Sequence, residues 1–371
     1  MSRKIGILTF HKSNNCGSVL QAYALQQTLN KFNFENEIIN FSNENQENMY
    51  ALFRKIRTYK DILANLATAV LYSKFKSHFQ DYENFRNTYL TVSTQKFKQT
   101  EDLINIEYDI LISGSDQVWN INCPDADDAY YLCFDDDSKK IAYAPSFGAI
   151  NPLERAKDPQ KYINYLNKFD WLSIRENNGK KWIYDMTQRH AEVLLDPTML
   201  LTADEWNTVI KIQPPTENYI FYYAFNYSKE VNKIVMDISS KYNMPVYILD
   251  IKSWVKRAWR DGIKITEHSG PDTFLSYIKN AKLVVTTSFH GTVFSILYKK
   301  KFWFVDSSMH NPNDDRTYTL LKQLDFFDRC ITTDMIPKLD IMSEIDYSKH
   351  DSMLCSLRNK SIEWLKNAIN E

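Results

Sequence analysis

Two short apolar runs, Leu283–Val285 and Phe302–Val305, bracket a stretch of helical period in KLVVTTSFHGTVFSILYKKKFWFVD, residues 282–306. A run of this length without alternation reads as a strand buried on both faces, the kind found in parallel sheets. Thr286, Thr287 and Ser288 follow the first run and supply side chains that cap a helix. Val293, Phe294, Ile296 and Leu297 then recur at helical spacing, and Lys299, Lys300 and Lys301 gather where the macrodipole favours cations. The spacing predicts a strand–helix–strand unit whose helix start leaves backbone N–H groups for a phosphate or carboxylate. His290 and Gly291 stand at that start, an imidazole placed for proton transfer and a glycine that lets a ligand approach the backbone. A histidine met alone is more often held by a loop contact. Its place at a strand's carboxyl end, where open α/β sheets bind ligands, favours function.

The same alternation runs through the chain. Ile5–Phe10 is a nearly unbroken apolar run, the polar turn HKSNNCG ends at Gly17, and Ser18 opens a helix on Val19, Leu20, Tyr23, Ala24 and Leu29. Glu37–Phe41 completes a βαβ start. Residues 47–90 interrupt the pattern with a helical composition carrying Arg54, Lys55, Arg57, Lys60, Lys74 and Lys76. This segment reads as a helical insertion that covers the sheet or forms a lid. Its sharper reading is a basic amphipathic surface approaching a membrane or a lipid-linked substrate, in peripheral contact only. Strands resume at Tyr108–Ser113, Ile141–Ala144, Leu172–Ile174 and Val193–Leu195, and Pro214-Pro215 marks a break. The second half repeats the scheme with strands Tyr219–Phe225 and Val246–Ile251 and helices Glu230–Lys241 and Asp272–Ala281. After the 282–306 unit come a polar loop (306–315), a helix near Tyr318–Leu324 and a helix over 351–369.

The fold class expected is therefore α/β, with two Rossmann-like domains facing across a cleft. Residues 1–205 form the first domain, with a helical insertion at about 47–90, and 206–350 form the second. A C-terminal helix, 351–371, is placed to cross back over the first.

Composition narrows the function. With 45 Lys plus Arg against 46 Asp plus Glu, the formal net charge is -1. No nucleic-acid partner is expected, and any anion site must be local. Five cysteines in no ligand spacing read as reduced thiols. The N-terminus enters a strand directly and no run reaches membrane-span length, so a cytoplasmic location is expected, peripheral at most at the inner face of the plasma membrane. Dinucleotide, P-loop, G-x-S-x-G and H-E-x-x-H signatures are all missing, and the seven histidines are scattered, so no metal and no cofactor is expected.

The carboxyl-end loops hold the candidates. Arg175 can grip an anion with its fork or pair with a nearby acid. Asp116 serves as a base or caps a turn, Asp196-Pro197 reads as a structural turn, and Cys16 as a small filler.

In order along nearly the whole chain, KIGILTFHKSNNCGSVLQAYAL, DILISGSDQVWN, YAPSFG, LSIRE, VLLDPTML, NAKLVVTTSFHGTVFSILYKKKFWFV and DDRTYTLLKQL occur. With these blocks the chain resembles the polysaccharide pyruvyl transferase family. The resemblance implies a two-domain architecture of the glycosyltransferase-B type. It implies transfer of a pyruvyl group from phosphoenolpyruvate onto two hydroxyls of a sugar in a cell-surface polysaccharide precursor, giving a cyclic ketal. The acceptor is then a nucleotide- or lipid-linked saccharide. His290 becomes the general acid, with Asp116 a base or acceptor contact. Arg175, Ser288, Gly291, Thr292, Arg316 and His11 become substrate contacts, and Asn14 and Asn15 would orient sugar hydroxyls. One departure stands out: part of the family carries an arginine two residues before this histidine, where this chain has Ser288. Arg316 or Lys12 would then replace that charge, or the donor differs. A nucleotide-sugar glycosyltransferase in the same cleft, or a non-catalytic glycan-binding protein, are the competing readings.

Overall fold

The computed structural model describes residues 3–135, 137–224, 226–306, 311, 313–336 and 339–371. Phe225, expected to end a strand, and residues 307–310 and 312 of the expected loop lie outside them.

The first half begins β1 (Ile5–Leu8), α1 (Cys16–Lys31), β2 (Asn36–Phe41), α2 (Glu44–Tyr50), α3 (Tyr59–Val70), α4 (Tyr72–Tyr89) and β3 (Val92–Phe97). It continues β4 (Ile110–Ser113), β5 (Lys139–Ala142), α5 (Pro152–Arg155), α6 (Pro159–Asn167), β6 (Trp171–Ile174), α7 (Asn177–Thr187), β7 (Glu192–Val193) and α8 (Ala203–Asn207). The second half runs β8 (Ile220–Tyr223), α9 (Lys229–Tyr242), β9 (Val246–Ile248), α10 (Ile251–Lys256), β10 (Lys264–Ile265), α11 (Pro271–Asn280) and β11 (Leu283–Thr286). It ends α12 (Phe289–Leu297), β12 (Phe302–Val305), α13 (Arg316–Gln323), β13 (Cys330–Ile331) and α14 (Ser348–Asn370).

Two sheets result, ordered β3-β2-β1-β4-β5-β6-β7 and β10-β9-β8-β11-β12-β13. Every pairing is parallel, as the unalternating runs require: Ile7 lies between Ile38 and Ile112, and Val285 between Tyr222 and Trp303. In each sheet the strand order reverses beside the first strand, at β1/β4 and β8/β11, the place where such sheets leave a crevice. Three strands were not foreseen. β3 is a sheet edge whose Thr94, Gln95 and Lys96 are exposed, so it carries no apolar run, and β10 and β13 are two residues long.

The halves are welded, with one apolar cluster joining Ile5, Val19 and Leu20 of the first to Phe221, Val284 and Phe294 of the second. Trp206 stacks edge-on against Phe294 at 5.1 Å. The insertion helix α4 also reaches across, since Asp81 accepts from Ser269 N at 3.0 Å, while Tyr82 ties the same helix to α1 through the Cys16 thiol at 3.1 Å. α14 packs on the first half. Ser361 Oγ accepts from Leu195 N, Arg358 Nε donates to Met199 O at 2.6 Å, and Trp364 abuts Trp171.

Candidate functional site at the seam

Because all strands are parallel, the loops after β1, β4, β6 and β7 leave on one edge and meet the β11–α12 turn and the start of α13. The contact is made of side chains rather than open space. His290, 7% exposed, turns its Nε2 toward Asp196 Oδ2 at 3.5 Å, a close approach without a hydrogen bond. The same Oδ2 accepts from Arg175 Nη1 at 2.8 Å and from Ser115 Oγ at 3.0 Å. Asp196 Oδ1 holds the N–H and hydroxyl of Thr198. Burial alone would raise this carboxyl, but His290, Arg175 and Thr198 together hold it below the ordinary carboxylate range. The Asp196-Pro197 turn is thus a turn and also the hub of the cluster.

Gly17 sets where the imidazole sits. It is the second residue of α1, and a Cβ there would overlap the His290 ring. Alanine is favoured over glycine in a helix by about 1 kcal/mol, so space for the ring is what the glycine supplies.

Arg175 is 3% exposed and lies 4.3 Å over the Phe289 ring. Its Nη2 is 3.7 Å from Asp116 Oδ1, and neither Nη2 nor Nε has a hydrogen-bond acceptor among the described residues. Of the two expectations for this fork, an anion or a nearby acid, the acid is what the fold supplies, with Asp196 on Nη1. Arg316 is occupied further: Nε and Nη2 both donate to Asp314 at 2.7 Å. Asp116 accepts from Ser18 Oγ at 2.5 Å and adopts φ 72°, a left-handed backbone that costs a non-glycine residue energy and is found at functional sites. Glu176, fully buried, accepts from Phe147 N at 2.9 Å while its Oε2 has no hydrogen-bond partner among the described residues, and burial pushes its carboxyl up to about 8.

The remaining expected residues fall in two groups. Ser288 caps α12 by accepting from Gly291 N, and Asn15 caps α1 through Gly17 N. Asn14 accepts both Nη groups of Arg86 at 3.1 Å. These three line the neighbouring cavity. His11, Gly291 and Thr292 turn inward. His11 is 2% exposed, its Nδ1 is 3.2 Å from Thr9 O, and burial brings its pKa down to about 3, so it is a neutral interior ring. A Cβ on Gly291 would overlap Thr286 Oγ1, so this glycine serves the tight strand–helix turn rather than a ligand. Thr292 Oγ1 donates to Ser288 O. Cys16 is buried, with its thiol pushed up to about 12, as suits a filler. Asp196, Glu176, Ser18 and Gly17 were not foreseen as site residues. Only the first two carried a signal, an acid at a strand's carboxyl end.

Beside the cluster a cavity of about 760 Å³ opens between α3–α4 and the ends of β8 and β9. Its walls are apolar at Leu63, Phe75 and Leu249, and carry Arg54, Lys60, Lys252 and Lys256 against Asp250. Among the described residues no group of three or more His, Cys, Asp or Glu is placed to hold a metal.

A family model described as polysaccharide pyruvyl transferase matches residues 15–309. No curated protein matches the chain. Of the solved structures, a UDP-GlcNAc 2-epimerase from Methanocaldococcus jannaschii is similar at TM-score 0.52 and 11% identity, over 96% of this chain and 99% of that one. A UDP-GlcNAc 2-epimerase from Neisseria meningitidis gives 0.49 at 9% identity, over 98% and 99%. The E. coli heptosyltransferase WaaC with ADP gives 0.39 at 10%, over 81% and 87%. The likeness to the first is one of fold, two Rossmann-like domains in the glycosyltransferase-B arrangement.

Proposed function

The chain belongs to the polysaccharide pyruvyl transferase family and is a transferase, and from that premise we propose that it moves a pyruvyl group from phosphoenolpyruvate onto two hydroxyls of one sugar in a polysaccharide precursor. The product is a cyclic ketal, and the acceptor is a saccharide carried on a nucleotide or a lipid. The observation that carries the reading is the buried row His290–Asp196–Arg175, in which Nε and Nη2 of Arg175 have no hydrogen-bond acceptor among the described residues.

The chemistry follows from that row. Asp196 fixes the imidazole, and His290 gives a proton to the methylene carbon of the donor as the first sugar hydroxyl adds to the neighbouring carbon. The C–O bond to phosphate then breaks, and the second hydroxyl closes the ring on the same carbon. Of the two hydroxyl protons released, one replaces the proton delivered to the new methyl group and one leaves on phosphate, so no proton is gained or lost. Asp116, with its left-handed backbone and its bond to Ser18, is in this reading the group that takes a hydroxyl proton. The seam itself is not strongly cationic, because Asp196 and Asp314 already occupy Arg175 and Arg316. The cavity lysines and Arg54 supply the positive charge for the anionic substrates.

Phosphate release from phosphoenolpyruvate should require an acceptor, and His290→Ala should lower its rate by about two to four orders of magnitude while the fold survives. Unchanged turnover in that variant would sink the assignment.

The cavity's position over β8 and β9, beside the α12 start, favours one other reading, a glycosyltransferase holding a nucleotide sugar there. Thermal stabilisation by a nucleoside diphosphate and none by phosphoenolpyruvate would select it.

A further inference from the structure

Helix α3 is turned inside out. Its small and polar residues Ala64, Ala67 and Thr68 face the cavity, while Tyr59, Ile62, Leu66 and Val70, spaced along one stripe, face solvent, and Leu63 lies on the border, lining the cavity and exposed as well. Leu66 is 57% exposed and Val70 82%. Large apolar side chains left outside elsewhere are scattered singly, whereas here the stripe continues into the exposed Phe53, Ile56 and Tyr72. A contiguous apolar face of this kind marks a contact with something apolar.

The surrounding charge says what. Residues 53–79 hold six Lys and Arg (Arg54, Lys55, Arg57, Lys60, Lys74, Lys76) and one acid, Asp61, a local net of +5 in a chain of net -1. Lys55 and Arg57 lean on Glu44, and Lys74 and Lys76 rest on the rings of Trp254 and Tyr72. Lys60, Lys74 and Lys76 have no ion pair among the described residues. An isologous contact with a second copy would bring the same cations face to face across the apolar stripe. A bilayer surface bearing anionic lipids offers both the apolar interior and the opposite charge.

We propose that α3 lies in the surface of an anionic phospholipid bilayer, apolar stripe inward and basic rim at the headgroups. It is an interfacial contact, for among the described residues no helix is long and apolar enough to cross a membrane. The cavity lies under the same helix, so its mouth is held close to the lipid surface. The proposal stands apart from the donor chemistry.

Co-sedimentation with vesicles tests it. The whole protein should pellet with phosphatidylcholine–phosphatidylglycerol vesicles at low salt and be released as salt is raised. It should partition at least about tenfold less onto phosphatidylcholine alone, which offers the basic rim no opposite charge. Leu66→Glu with Val70→Glu, both at exposed positions outside the cavity wall, should remove binding while the circular dichroism and melting temperature stay put. Lys55→Glu with Lys76→Glu should weaken it and flatten the salt dependence. Equal binding of the Leu66/Val70 variant and parent, or no binding to anionic vesicles at low salt, overturns the proposal. So does a concentration-dependent dimer that the Leu66/Val70 variant makes monomeric.

Discussion

At the scale of single residues, the cluster is defined as much by a missing side chain as by those present. Gly17→Ala should push the His290 ring off Asp196 and cut turnover although the imidazole remains. In a His290→Ala background the same change should be neutral or mildly stabilising, because alanine suits the helix and nothing is left to overlap. Paired melting curves and rates give the coupling, and equal effects in both backgrounds would show that Gly17 has another reason to be there. Glu176 predicts a pH dependence. Its folded pKa, about 8, lies above the ordinary value of 4.5, so the native state holds the proton more tightly. That contribution is complete below pH 4.5 and is lost as pH rises to about 8, a slope of up to about 1.4 kcal/mol per pH unit. Glu176→Gln should flatten the fall in melting temperature over that window while keeping the bond to Phe147 N. His11 acts oppositely, its pKa lowered to about 3, so its contribution is present above pH 6.5 and lost on acidification.

At the scale of elements, legibility followed burial. Strands such as Leu283–Thr286 and Ile110–Ser113 are apolar on both faces and announce themselves, whereas Val92–Phe97 is an edge whose polar residues resemble a loop. The site was legible one residue at a time and no further. His290 and Arg175 stood out at strand ends, yet the carboxylate that joins them, Asp196, is 94 and 21 residues away from them along the chain and near only in space, and a sequence carries no sign of that. Likewise the outward turn of the α3 stripe could not be read, since periodicity gives a face but not its direction. The last helix offers a test at this scale. Ser361 Oγ receives the buried N–H of Leu195, and Ser361→Ala leaves that donor without a partner. A loss of about 1–3 kcal/mol in denaturant unfolding is expected, and a smaller loss would mean that α14 is replaceable there.

At the scale of the whole molecule, the apolar cluster that runs from Ile5 through Phe221 to Leu365 makes the halves one cooperative body. Calorimetry should therefore show a single transition with calorimetric and van't Hoff enthalpies in agreement; two resolved transitions would contradict it. Asp315 of the second half accepts from Asn178 N at the start of α7, and Thr319 from Asn177 N, so the weld extends to the rim of the seam. His290 comes from one half, and Gly17 and Asp196 from the other. Any hinge motion that parted the halves would separate the imidazole from Asp196 and, under the proposed reaction, leave the protein inert for as long as the gap lasted. On that proposal substrates arrive and leave by the side door beneath the insertion helices, where the cavity opens, rather than through a swing of two jaws.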